Sequence, residues 1–146
     1  MLGEKSEFLK DIKKSLPSNI DFDYIKKKNS PTIVKKRFLD HVSNNKVLGV
    51  YNINYEALNI KDEKTFSRKL KTFLPKYDLI IVSDYGHGLI SSKSSKIICQ
   101  NSEYLAVNTQ INAANLGHHS MRKYKNVDFF INNENERHKS NTPDIG

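Results

Sequence analysis

The chain is short of several things at once. It has a single cysteine, Cys99, among 146 residues, so no disulfide can close within it. Cys99 lies in the apolar run SKIICQ, where a reduced, buried thiol of a cytosolic protein is the expected state. No apolar stretch approaches the roughly 18 residues that signal a membrane-spanning helix. The first residues, MLGEKSEFLKDIKKSL, carry too much charge for a secretory signal. There is no internal repeat and no low-complexity tract.

Acidic residues are also in the minority, 16 against 24 Lys and Arg, which leaves a net charge of +8. Such an excess suits an anionic partner. The lysines are nevertheless spread along the chain. They cluster only in IKKKN (Ile25 to Asn29) and IVKKRF (Ile33 to Phe38), and no aromatic platform repeats beside them. A nucleic-acid binder, whose affinity would fall steeply with salt, therefore ranks behind a protein of phosphorylated small molecules. Histidine offers no metal pattern: His118 and His119 are adjacent rather than one helical turn apart, and His41 and His138 are isolated. With one cysteine, a zinc site is not expected.

What is present is a change of rhythm partway along. The spacing of Phe8, Leu9, Ile12 and Leu16 predicts a helix over Ser6 to Leu16, stopped by Pro17. Ile20, Phe22 and Tyr24 alternate with polar residues, as in a half-buried strand. Thr32 to Val42 and Lys46 to Ile53 read as two strands around the turn residues Ser43-Asn44-Asn45. Phe66, Leu70, Phe73 and Leu74 predict a helix over Asp62 to Leu74, ended by Pro75. Beyond it the apolar runs become continuous: Leu79 to Val82, Tyr104 to Asn108 and Val127 to Asn132, the pattern of parallel strands buried on both faces. A helix capped by Ser91 or Ser92 separates the first two. The progression predicts an α/β fold, a mainly parallel sheet with helices on its faces plus an antiparallel hairpin. Both ends look cut: MLG resembles a strand end, NTPDIG follows a helix begun at Glu134, and a fragment is the expectation.

The three apolar strands all end in polar residues: Ser83-Asp84-Tyr85-Gly86-His87-Gly88, Asn108-Thr109-Gln110, and Asn132-Asn133-Glu134-Asn135-Glu136. Open parallel sheets bind ligands at the carboxyl ends of their strands. Singly, each residue has a plainer reading: Gly86 and Gly88 as turn residues, Asp84 and Asn133 as helix caps. Together they favour a shared cleft.

The segments TIVKKRF, DLIIVSDYGHGLIS, AVNTQINAAN and DFFINNENE, in this order and spacing, resemble the central portion of a ribokinase-like (PfkB-type) carbohydrate kinase, nearest the heptose-7-phosphate kinase (RfaE-like) subgroup. The resemblance runs from Gly3 to about His138. It implies a three-layer ribokinase-like sandwich, with lid-like strands at about 31–53 and a parallel core at about 62–140 of a partial kinase domain spanning 1–146. It implies ATP and magnesium as cofactors. Asn133 and Glu136 match the N-x-x-E motif that helps hold magnesium, through water, and the ATP phosphates; hard oxygen ligands suit that ion. Asn108 matches a strand-end residue facing the phosphates, with Gln110 where lysine is usual. Asp84 and Tyr85 match the SDY strand end near the junction of the sugar and phosphate sites, and His87 replaces a commoner lysine. Thr32, Lys35 and Arg37 match the lid strand over the sugar, where a cationic pair suits a phosphorylated substrate; a solvated strand face is the plainer reading.

The family's catalytic aspartate lies in a G-x-G-D motif that this sequence does not contain, and the glycine-rich sugar-binding start is absent as well. No catalytic base is therefore assigned, the base being expected beyond Gly146, and the chain alone is expected to be inactive. The intact enzyme would phosphorylate a sugar phosphate, at the anomeric hydroxyl, for nucleotide-sugar and surface-polysaccharide (lipopolysaccharide) supply. The resemblance further implies a cytoplasmic protein, a homodimer through the lid strands, and a fused nucleotidyltransferase in many relatives. The alternative is a non-catalytic α/β module that binds a nucleotide or a partner chain.

Overall fold

The computed structural model describes residues 1–110 and 121–131. The chain divides into two compact units, Met1–Asn54 and Tyr55–Gly146.

In the first unit β1 (Leu2–Gly3) pairs in parallel with β2 (Lys26–Lys27). Leu2 and Ile25 are buried, and the Leu2 N–H donates to the Ile25 carbonyl at 2.9 Å. Gly3 lies flat on the backbone of residues 30–32, where a Cβ would collide with Pro31 and Thr32, so only glycine fits. Helix α1 (Leu9–Ser15) is shorter than the sequence predicts and buries no residue. Phe8 is the reason: its left-handed backbone (φ 65°) breaks the helix one residue before Leu9. The strand expected around Ile20, Phe22 and Tyr24 is irregular, with no ladder partner; Phe22 stacks on Tyr24 instead, ring centroids 5.7 Å apart. The hairpin is present as β3 (Val34–Leu39) and β4 (Lys46–Asn52), antiparallel, with Lys35 opposite Tyr51 and Arg37 opposite Gly49. Its turn is organised by Asp40, whose Oδ1 accepts from the Val42 and Ser43 N–H groups at 3.1 and 2.7 Å, while Asn44 supplies a positive φ.

The second unit contains α2 (Ile60–Phe73), a 3-10 turn (Leu74–Lys76), β5 (Leu79–Asp84), α3 (Ser92–Asn101), β6 (Tyr104–Thr109), a second 3-10 turn (Met121–Lys123) and β7 (Phe129–Ile131). The three strands form one parallel sheet in the order β5-β6-β7. Asn59 caps α2 by accepting from the Asp62 N–H at 2.9 Å. Ser91 and Ser94 form a reciprocal capping box on α3, and the Ser91 hydroxyl also donates to Glu63 Oε1 at 2.8 Å, which ties the start of α3 to α2. The core lies between the helices and one face of the sheet: Leu74, Val82, Ile97, Ile98, Leu105, Val107 and Tyr124. Each such fully buried aliphatic side chain contributes roughly 1.5–3 kcal/mol.

The fold is thus mixed α/β, with a mainly parallel arrangement and an antiparallel hairpin, as the sequence predicts. The expectation that the strands are buried on both faces holds for the central strand β6, where Leu105, Ala106 and Val107 are all buried, but not for β5 and β7. Successive strand residues point to opposite faces; Val82 and Asp84 are buried while Leu79 and Ile81 are 51% and 69% exposed. Tyr104, Phe129 and Ile131 extend that open apolar face across the sheet by register with Leu79, Ala106 and Asn108. The helix expected from Glu134 lies outside the described residues. Among the described residues no helix is long and apolar enough to cross a membrane.

Candidate functional site at the strand ends

The carboxyl end of β5 is organised by Asp84, which is only 4% exposed. Strand alternation turns it to the same face as Val82, toward the core. Burying a carboxylate there requires partners, and among the described residues three converge on it. The Gly86 N–H donates to Oδ1 at 2.9 Å. The Lys123 ammonium and the Tyr124 hydroxyl both reach Oδ2 at 2.7 Å. Lys123 also donates to the Ile90 carbonyl at 2.7 Å and lies 5.4 Å from the Tyr124 ring centroid. Burial by itself raises the Asp84 pKa. The hydrogen bond and charge of Lys123, with the Gly86 N–H and the Tyr124 hydroxyl, more than offset it and hold the carboxyl below the ordinary carboxylate range. Burial, reinforced by the Asp84 charge, pushes the Tyr124 phenol well above its ordinary value, so it remains a donor.

The glycines of SDYGHG act as turn residues. Gly86 and Gly88 have φ of 67° and 78°, a conformation that side-chain-bearing residues rarely adopt. Gly88 also approaches the Glu56 carbonyl too closely for a Cβ, and its own carbonyl accepts from the Leu58 N–H at 3.2 Å. Between them His87 packs its ring against Tyr85 (6.0 Å, stacked) and Tyr55 (5.5 Å, edge-on). Tyr85 is partly exposed beside this turn.

Asn108 stands opposite Ser83 in the β5–β6 register, one position before the Asp84–Thr109 pair. Asp84 and Asn108 therefore occupy adjacent strand ends on opposite faces of the sheet: Asp84 faces the helices, Asn108 the open side. The Asn108 amide donates to the Ile131 carbonyl at 2.6 Å, which bridges β6 to β7. Gln110 contributes its backbone N–H to the Asp84 carbonyl at 3.0 Å.

In the first unit Thr32 is buried, and its hydroxyl accepts from the Gly3 N–H at 3.0 Å while donating to Glu7 Oε2 at 2.8 Å. Lys35 and Arg37 are two apart on β3 and share one face of the hairpin, Lys35 half-buried and Arg37 exposed. Asn133 and Glu136 lie outside the described residues.

The structure thus brings Asp84, Tyr85 and Asn108 to neighbouring strand ends. It adds two residues that the sequence reading does not single out, Lys123 and Tyr124. They come from MRKY, Lys123 as the last residue of the second 3-10 turn and Tyr124 just after it, and Tyr124 is 40 positions from Asp84. The one local hint is a basic-aromatic pair shortly before a strand.

Comparison with protein-family models, curated proteins and solved structures finds no match in any of the three.

Proposed function

We propose that the chain forms part of an ATP-dependent carbohydrate kinase of the ribokinase-like type, acting on a sugar phosphate of the heptose-phosphate class in the supply of nucleotide sugars for polysaccharide. The observation that carries this reading is the parallel β5–β6 pair, whose carboxyl ends set the SDYGHG turn and Asn108 side by side in register. Such strand ends are where open α/β sheets bind phosphorylated ligands. The resemblance of the quoted segments supports it at the level of motifs, and a three-layer ribokinase-like sandwich is part of the same proposal.

In this reading the residues divide by role. Asp84 is a positioning residue: its carboxylate already serves Gly86, Lys123 and Tyr124, so it fixes the turn that presents Tyr85. Asn108, a partly exposed strand-end amide, fits a ligand for phosphate or for a magnesium-bound water. Asn133 and Glu136 complete the magnesium and phosphate contacts, and Lys35 and Arg37 hold the substrate phosphate. Magnesium-ATP, when bound, supplies the phosphoryl group and neutralises charge as it transfers. The G-x-G-D motif that carries the base in the family is not among residues 1–146, so no base for the sugar hydroxyl is assigned and these residues alone are expected not to turn over. The hairpin is the dimerisation element, consistent with its exposed apolar side chains Phe38, Leu48 and Val50.

Replacing Glu136 by Ala in the product of the complete reading frame tests the assignment. The Michaelis constant for magnesium-ATP rises at least about tenfold, the worth of about 1.4 kcal/mol, while that for the sugar phosphate moves little. An unchanged constant for magnesium-ATP refutes the role.

A second reading, a non-catalytic nucleotide- or partner-binding module, is favoured by the open apolar sheet face formed by Leu79, Ile81, Tyr104, Phe129 and Ile131. A module of this kind unfolds cooperatively by itself. Aggregation of the isolated chain, with no unfolding transition, counts against it.

A further inference from the structure

Helices α2 and α3 enclose an open groove of about 560 Å³ that is unrelated to the strand-end cluster. Its walls carry Lys61, Lys64, Arg68 and Lys71 from α2 and Lys93 from the first turn of α3. The α2 spacing of three, four and three residues puts all four cations on one face, along about 15 Å of helix at 1.5 Å per residue. Like charges one turn apart repel. Among the described residues none of the five cations is paired with a carboxylate. The nearest acids on α2 are engaged elsewhere: Asp62 accepts from the Asn59 amide at 2.7 Å and Glu63 from the Ser91 hydroxyl at 2.8 Å.

The floor adds an independent observation. Ser67 lines the groove, is only 7% exposed, and among the described residues its Oγ has no hydrogen-bond partner. A buried hydroxyl without a partner is costly and uncommon. Here it is a donor set among five cations. The neighbouring threonines are not in this position, since Thr65 and Thr72 bond back to the Lys61 and Arg68 carbonyls at 3.0 Å each.

We infer that this groove is a binding site for a compact polyanion carrying several phosphate groups, held by the Lys61, Lys64, Arg68, Lys71 and Lys93 cations with the Ser67 hydroxyl donating from the floor. The volume falls in the range of small-ligand sites, about 300–1,000 Å³. Among the described residues no aromatic side chain lines it and Ile97 is the one apolar wall residue, so these offer no platform on which nucleobases could stack. That favours a small multiply phosphorylated molecule over a single-stranded nucleic acid. None of the groove residues belongs to the strand-end cluster, and the groove stands whether or not the chain is part of a kinase.

Isothermal titration with inorganic tripolyphosphate tests the site. The chain as it stands binds it, and raising the salt concentration weakens the binding. The exposed double variant Lys64→Glu/Arg68→Glu reduces affinity by at least about tenfold, as expected for loss of charge-assisted contacts. Ser67→Ala, which leaves the charge unchanged, reduces it about tenfold or more, on the scale of one hydrogen bond to a charged group. Lys10→Glu/Lys13→Glu on α1 makes the same change in net charge and leaves affinity within about twofold, because it lies outside the groove. Thermal melts confirm that the variants remain folded. Failure of tripolyphosphate to bind overturns the inference. So does equal weakening by the α1 pair, which would make the effect one of net charge. Binding of a short DNA duplex or of anionic phospholipid vesicles through the groove, without tripolyphosphate binding, overturns the assignment to a compact ligand.

Discussion

Replacing Asp84 by Asn removes one charge and almost no volume, and the consequence follows from the donors Gly86, Lys123 and Tyr124 at the carboxylate. An amide has one oxygen and one NH₂ where the carboxylate has two acceptors. If the amide oxygen stays on the Gly86 N–H, the NH₂ faces Lys123 and Tyr124. The Tyr124 hydroxyl can rotate to accept; the Lys123 ammonium cannot, and among the described residues it keeps only the Ile90 carbonyl. If the amide flips, the NH₂ meets the Gly86 N–H instead. Breaking a buried ion pair by altering one partner costs about 3–5 kcal/mol. The Lys123 side chain is 15% exposed and water reaches it, which places this case at the lower end. We expect Asp84→Asn to destabilise by about 3 kcal/mol in urea unfolding, or to lower Tm by roughly 6–12 °C for a chain of this size. Lys123→Met should cost a similar amount, and the double variant less than the sum, with a coupling of about 2 kcal/mol. A change below about 0.5 kcal/mol for Asp84→Asn, with no coupling, would refute the view that this cluster holds the strand end together.

The same cluster gives stability an acid limit. Because the folded Asp84 carboxyl sits below its unfolded value, its contribution is complete above about pH 4 and is lost as the pH falls through the folded pKa. Melting temperature measured from pH 6 downward should therefore fall less steeply in Asp84→Asn than in the parent, and identical slopes would contradict the assignment. Tyr124 acts in the opposite direction: its raised pKa withdraws stability as the pH climbs above about 10, and Tyr124→Phe should remove that alkaline loss in a melt series. Gly88→Ala meets both a φ of 78° and the Glu56 carbonyl, so a loss of about 2 kcal/mol or more is expected in urea unfolding, and a neutral result would show that the turn relaxes freely.

Much of the second unit is legible in its sequence because its signals are local. Asn59 and Ser91 stand where caps belong, Pro75 follows the end of α2, and the runs Leu79 to Val82 and Tyr104 to Asn108 are the cores of two strands. The polar strand ends are equally visible as punctuation after apolar runs. What is not legible depends on partners distant in the chain. Lys123 and Tyr124 reach Asp84 across the fold, and no spacing rule connects them. Ile20, Phe22 and Tyr24 have the right period for a strand, but a strand also needs a neighbour, which the sequence pattern does not report. The early break of α1 at Phe8 is a single left-handed residue, invisible to helix periodicity. Apolar runs also cannot say whether both faces of a sheet are covered, and Ile81 shows one that is open.

In the proposed kinase reading the chain takes part in phosphoryl transfer to a sugar phosphate, and ³¹P NMR of the reaction mixture decides whether it does. The product of the complete reading frame, incubated with magnesium-ATP and heptose 7-phosphate, should yield ADP together with a new phosphate resonance on the anomeric oxygen, while residues 1–146 alone yield none. Absence of any sugar-dependent ADP across a panel of sugar phosphates, or product formed by residues 1–146 alone, would overturn the kinase reading.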